Sequence, residues 1–134
     1  MIRIKKRAKG SVPLGRTLST YDYYLDKNSK SKKKRPVVVI ERNKRNELAV
    51  VALSTHKGKH RTELKNYQDG KSYFKHFVET RDNEEKPIKI GEKFRENHPR
   101  NDISGNDVKH IRHTVFKSSK PAPENRKKIE KFRK

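Results

Sequence analysis

The chain has 134 residues, of which 28 % are hydrophobic and 40 % charged, and its 37 lysines and arginines against 16 aspartates and glutamates give a formal net charge of +21. So little apolar sequence allows one domain with a small core, and so much like charge opposes compaction unless a polyanion answers it. The absence of cysteine excludes a disulfide framework, a thiolate metal site and a thiol nucleophile, and no run approaches the roughly 18 apolar residues of a membrane-spanning helix.

Basic residues occur in every third of the chain. That spread points to nucleic acid rather than to a basic tail on an ordinary domain. The opening stretch, "MIRIKKRAKG", is basic but has no apolar h-region of a signal peptide, so a cytoplasmic protein with no membrane attachment is expected. Ile2 and Ile4 alternate with Arg3 and Lys5 as in a short first strand, and Gly10, Pro13 and Gly15 punctuate the residues after it. "YDYYLD" (21–26) is an aromatic cluster suited to a core edge. "KNSKSKKKR" (27–35) has nothing to bury, so a mobile basic loop is expected there.

"PVVVIE" (36–41) is almost continuously apolar and β-branched, the pattern of a strand buried on both faces. "RNKRN" (42–46) is turn material, and "ELAVVALS" (47–54) reads as a second buried strand. A link this short favours an antiparallel hairpin. "SYFKHFVE" (72–79) comes after the turn signal Asp69-Gly70, and "PIKI" (87–90) alternates before Gly91. After Gly105 the period changes. Val108, Ile111, Val115 and Phe116 lie on one face of a helix, with Ser104 or Asn106 as its cap. Residues 120–134 carry Ile129 and Phe132 among many charges and read as a basic helix starting at Pro123, or as a tail. The expected fold is mainly β (α+β), a single domain over 1–134: a small, strongly curved sheet or barrel with one or two helices late in the chain.

The second buried strand runs directly into Ser54-Thr55-His56-Lys57-Gly58-Lys59-His60. In an antiparallel hairpin the start of the first strand lies beside the end of the second, so Arg35 should stand near Ser54 and Thr55. A guanidinium forks onto two phosphate oxygens. Metal-free RNA cleavage needs a base for the 2′-OH, an acid for the leaving 5′-oxygen, and donors for the charge that builds on phosphorus. All these residue types are present. A basic loop after a strand is nevertheless more often simply solvated, and phosphate binding needs fewer coincidences than catalysis. Lys30, Lys32, Lys33, Lys34, Lys59 and Arg61 are the candidates for guiding an RNA backbone. His110 and His113, with Asp107 nearby, have a spacing that suits a metal, but they read better as the wet face of a basic helix. No cofactor and no metal is expected, and no glycine pattern matches a nucleotide-binding loop.

"RPVVVI", a polar turn and an apolar strand ending "ALST" resemble the core of the MazF/PemK/Kid toxin superfamily. The resemblance implies a compact SH3-like β-barrel with a C-terminal helix. It implies an endoribonuclease that cleaves single-stranded RNA without a metal, leaving a 2′,3′-cyclic phosphate and a 5′-hydroxyl. It also implies self-association and an antitoxin that holds the toxin in check. Arg35 and Ser54 correspond to the family's catalytic arginine and hydroxyl. Ser54-Thr55-His56-Lys57 further resembles the hydroxyl pair and lysine of the type III, ToxN-like branch, whose antitoxin is a folded RNA. A net charge of +21 suits such an RNA, although an acidic protein antitoxin also fits a basic groove. Arg35 is accordingly assigned to phosphate stabilisation and is a candidate proton donor, Ser54 and Thr55 to orienting the scissile phosphate or 2′-OH, Lys57 to holding the charge, and His56 or His60 is the runner-up general base. In place of the family's "GDV"-like opening strand and glycine-rich loop stand "GRTLSTYDYYLD" and a lysine-rich stretch, and residues 60–100 are more charged than the family pattern. The rival expectation is a non-catalytic RNA- or DNA-binding module, ribosome-associated or from a mobile element.

Overall fold

The computed structural model describes residues 12–21, 25, 33–45, 47–64, 67, 72–80, 88–89, 94–96 and 102–134. Its centre is the hairpin of β2 (Lys34–Arg42) and β3 (Glu47–Ser54). Val37 faces Ala52, Val38 faces Val51 and Val39 faces Val50. Asn43 makes the turn between them: its Oδ1 accepts the backbone N–H groups of Arg45 and Glu47, both at 3.0 Å, and its Nδ2 donates to the Glu47 carboxylate at 2.9 Å. A short amide side chain bonding the backbone two residues on is what makes asparagine a turn residue.

Successive side chains of a strand point to opposite faces, and this hairpin is apolar on both. Val38, Ile40, Ala49, Val51 and Leu53 join Phe74, Val78 and the helices in one cluster. Val37, Val39, Leu48, Val50 and Ala52 join Val12, Leu18 and Phe94 in the other. The expected two-sided burial is therefore observed. The register shifts between Val39 and Glu41. This bulge re-aims Glu41 toward the helical side, where it receives Arg112 and Arg133.

β1 (Thr17–Tyr21) pairs with β2, β5 (Ser72–Glu79) with β3, and β4 (Arg61–Leu64) with β5, all antiparallel. Two short strands complete the sheet, β6 (Ile88–Lys89) on β3 and β7 (Arg95–Glu96) on β1. The path runs β4-β5-β3-β2-β1-β7. Its two ends do not pair with each other among the described residues, so the sheet is open and not the closed barrel expected. A barrel buries one face inside itself; here helices cover that face instead. β1, β4 and β7 lie outside the strands expected from sequence. The candidate strand at Ile2–Ile4, most of the aromatic cluster at 21–26 and residues 27–32 of the basic stretch lie outside the described residues. Lys34 and Arg35 belong to β2 rather than to a loop.

The late helical period is met by α1 (Gly105–His113), whose cap is Ser104; its Oγ accepts the Asp107 N–H at 3.2 Å. A π-helical turn, Thr114–Ser118, comes next, and then α2 (Ala122–Arg133). The last segment is thus a helix, with Ile129 and Phe132 in the core. No helix among the described residues is long and apolar enough to cross a membrane. Gly15 ties β1 to this layer. Its φ is +92°, its N–H donates to Val39 O and its C=O accepts from Ile103 N–H, both at 2.8 Å. A Cβ there would lie 2.5 Å from Ile103 O, so only glycine fits.

Two polar groups lock the helices to the sheet. Asn125 is 1 % exposed. Its Oδ1 accepts Val78 N–H at 3.1 Å, and its Nδ2 donates to His76 O at 2.7 Å and to Val115 O at 2.6 Å. The side chain therefore satisfies the β5 edge beyond the end of β4. Glu41 accepts from Arg133 Nη2 at 2.9 Å and Arg112 Nη2 at 3.1 Å. Burial works to raise its carboxyl, but the guanidiniums of Arg133 and Arg112 outweigh burial and hold it below the usual carboxylate range.

Asn125→Ala leaves a buried N–H and two carbonyls without partners, each such group costing about 1–3 kcal/mol. We expect a loss of about 3 kcal/mol or more in denaturant melts. Glu41→Gln should cost about 2 kcal/mol at neutral pH, the scale of hydrogen bonds to a charged group. Because the folded carboxyl is depressed, its contribution is present above the unfolded carboxylate range and is lost as pH falls through the folded value. Melts of wild type and Glu41→Gln should accordingly converge in acid.

Candidate nucleic-acid interface

Continuing the β2–β3 register two residues beyond Val37–Ala52 sets Arg35 opposite Ser54. Arg35 also pairs with Thr20 of β1, and Ser54 with Tyr73 of β5, which in turn pairs with Glu63 of β4. One row of residues thus crosses the sheet: Thr20, Arg35, Ser54, Tyr73, Glu63. Strand alternation places Arg35 and Ser54 on the face of Val37 and Ala52, opposite the helices. The apolar cover of that face does not extend to this row: Arg35, Ser54 and Tyr73 are half-buried and Glu63 is exposed.

β3 and β4 are both antiparallel to β5, so they run parallel to each other with β5 between them. Residues 55–60 must therefore cross β5 to join them. Arg61 holds this crossing. Its Nη1 donates to Ser54 Oγ at 3.1 Å and to His56 O at 2.9 Å. The Ser54 Oγ also accepts His56 N–H at 3.1 Å. A Cβ on Gly58 would lie 3.4 Å from the Arg61 guanidine carbon, so the backbone there rests against the guanidinium. Arg61, a candidate RNA contact in the sequence, is first of all the strut of its own loop. Thr55 Oγ1 and His56 Nδ1 lie 3.3 Å apart, and both residues are exposed, as are Lys57 and Lys59.

The two histidines of the loop part company. His56 stays by Ser54 and Thr55. His60 has φ +57° and accepts His76 N–H on its carbonyl at 2.9 Å. That places it three residues along β5 from the Ser54–Tyr73 row, roughly 10 Å. Its ring lies 6.1 Å from His76 and edge-on to Phe77 at 5.8 Å. Lys33 and Lys34 are exposed at the start of β2 beside Arg35; Lys30 and Lys32 lie outside the described residues. Asp107, His110 and His113 do not converge. The His110 ring meets Phe74 edge-on at 5.6 Å, and His113 Nδ1 lies 3.3 Å from Ser118 Oγ. Among the described residues no three His, Asp or Glu side chains are grouped to hold a metal ion.

Tyr73, His76 and Phe77 carried no signal as site residues in the sequence, where they had merely looked like strand formers. His76 alternates with Phe74 and Val78 on the helical side. Its Nε2 lies 2.7 Å from Thr62 Oγ1, and its buried Nδ1 has no hydrogen-bond partner. Burial, with a smaller effect of His60, pushes this imidazole below its ordinary range.

The arrangement gathers one guanidinium on β2, the Ser54 hydroxyl held by a second guanidinium, the Thr55 hydroxyl beside His56, and the exposed Lys57 and Lys59 in the loop that follows. No family model, curated protein or solved structure matches this chain.

Because the His76 imidazole is depressed in the folded state, the folded protein binds fewer protons there than the unfolded chain. Stability should fall as pH drops from the ordinary histidine range through the folded value. In an NMR titration His76 should show a midpoint below that of an unperturbed histidine. His60→Ala should move this midpoint upward by removing a nearby positive charge. An unmoved midpoint would show that burial acts alone.

Proposed function

We propose that the chain binds single-stranded RNA across the ends of β2 and β3 and cleaves it there without a metal. In this reading it is a toxin-type endoribonuclease related to the MazF/PemK/Kid enzymes that its hairpin resembles. The observation that carries the reading is the β2–β3 register, Val37 facing Ala52, which continued to the strand ends brings Arg35 opposite Ser54, with Arg61 donating to the same hydroxyl.

In this mechanism Arg35 forks onto the non-bridging oxygens and stabilises charge as it develops on phosphorus. Ser54 and Thr55 orient the phosphate. His56, beside Thr55, takes the proton of the attacking 2′-OH. His60 suits that role less well, because its ring is turned to His76 and Phe77. Lys57 supports the charge and donates a proton to the leaving 5′-oxygen. Lys33, Lys34 and Lys59 guide the backbone on either side. The charge of +21 favours a folded RNA antitoxin over an acidic protein one, and self-association follows from the resemblance.

A second reading, a non-catalytic RNA-binding module, is favoured by one observation. The Ser54 Oγ already accepts from Arg61 and from His56 N–H, as a purely structural hydroxyl would. Cleavage of a mixed single-stranded RNA in EDTA separates the two. Arg35→Ala should slow cutting by about 10²–10³, the cost of one transition-state donor, while melting as wild type does, because Arg35 lies outside both core clusters. Arg35→Lys should rescue little, since a point charge does not fork. Wild type that binds but cuts nothing leaves the protein a binder. Binding itself should fall by roughly 10³–10⁵ in affinity between about 50 and 200 mM salt if six to ten phosphates are engaged. A flat salt titration would remove RNA from the account.

A further inference from the structure

Phe77 is 38 % exposed, one of two large apolar side chains left open among the described residues, the other being Leu14. Phe74 and Val78 on either side of it belong to the helical cluster, whereas Phe77 stays outside that cluster and open to solvent. Tyr73 is the direct neighbour of Ser54, and Lys75 pairs with Arg61. Phe77 thus lies four residues along β5 from Tyr73, past the register shift at which Phe74 to Val78 oppose only Leu53 to Val51, so it stands nearer to the Arg35–Ser54 row than a regular strand would put it.

The group beside Phe77 is unusual. His60 sets its ring edge-on to the phenyl at 5.8 Å from a left-handed backbone at φ +57°. A non-glycine residue occupies that region at a cost and only where its surroundings hold it. The hydrogen bond from His76 N–H to His60 O does the holding. Fixing the backbone this way leaves the imidazole against Phe77. Lys59 and Arg61 adjoin His60 in the chain, and Lys57 is three residues before it. Cores of protein–protein interfaces are poor in lysine, so this setting disfavours an apolar protein partner. It suits a polyanion whose monomers carry flat rings. Single-stranded RNA is recognised by bases stacked on aromatic side chains, with cations tracking the backbone.

We propose that Phe77, flanked by His60, is a stacking seat for an unpaired nucleobase of the RNA whose phosphate lies at Arg35 and Ser54. The proposal rests on the RNA-binding function proposed for the β2–β3 end and adds where a base is held. It makes β5 the track between the two seats, with the phosphate beside Tyr73 and the base at the far end. Stacking tolerates any base, so this seat distinguishes single strands from duplexes rather than one base from another.

The chain has no tryptophan, so Phe77→Trp places a single reporter at the seat. A non-cleavable 2′-O-methyl oligonucleotide should quench its fluorescence saturably. An abasic strand with the same number of phosphates should bind without quenching it. Phe77→Ala should weaken binding of the base-bearing strand by about 5- to 100-fold, the scale of one base–aromatic stack, and leave the abasic strand and the salt slope unchanged. His60→Gly keeps the left-handed backbone and removes the ring, so it should give a smaller loss confined to the base-bearing strand. Both strands binding wild type equally, or Phe77→Ala weakening both alike, would overturn the base seat while leaving the phosphate site intact. If neither strand binds wild type, the RNA reading falls and the seat falls with it.

Discussion

The structure depends on a hairpin that is apolar on both faces. Within Val37–Ile40 and Leu48–Leu53 every side chain is buried, whichever way it points. A strand of this kind cannot sit at a surface, because each face needs its own cover. The chain supplies two unlike covers. One is helical and closes on Val38, Ile40, Val51 and Leu53; the other is made by Val12, Leu18 and Phe94 over Val37, Val39 and Val50. In a protein with 28 % hydrophobic residues these two runs are the longest unbroken apolar stretches, and nearly all the other buried apolar side chains among the described residues gather on one or the other of their faces.

Polar groups complete what the small core leaves undone. Asn125 reaches from α2 to the backbone of β5 and to the π-helical turn. A π-helical turn displaces backbone bonds, and here the freed Val115 carbonyl receives a side-chain amide instead. Glu41, redirected by the bulge in β2, gathers an arginine from each helix. Arg61 does the same for the crossing loop. In each case one buried or half-buried polar side chain joins segments that share too little apolar surface to hold each other.

That economy shapes the candidate site. A row of polar residues runs where the second apolar cover stops, and the loop after β3 folds back across β5 rather than into solvent. The same strand then carries Tyr73 beside Ser54 and Phe77 beside His60. The hydroxyl of Ser54 is a strut within the loop, donating to His56 O at 3.4 Å and accepting from Arg61 and the His56 N–H.

The hairpin and the first late helix were legible in the sequence because their signal is local. Val37 to Ile40 and Leu48 to Leu53 are unbroken apolar runs, and Val108 and Ile111 keep the helical period. The proximity of Arg35 and Ser54 was legible too, since antiparallel pairing of two adjacent strands follows from a short turn. β4, "RTEL", and β7, "RE", have no such pattern; they are strands only because β5 and β1 offer them free edges. The open sheet, the separation of His56 from His60, the burial of His76 and the position of Phe77 were likewise settled by the fold. Each depends on which strand lies next to which, and β4 is joined to β3 across an intervening strand that comes later in the chain. Sequence spacing carries no information about that crossing, because the pairing energy that fixes it comes from residues a dozen or more positions away.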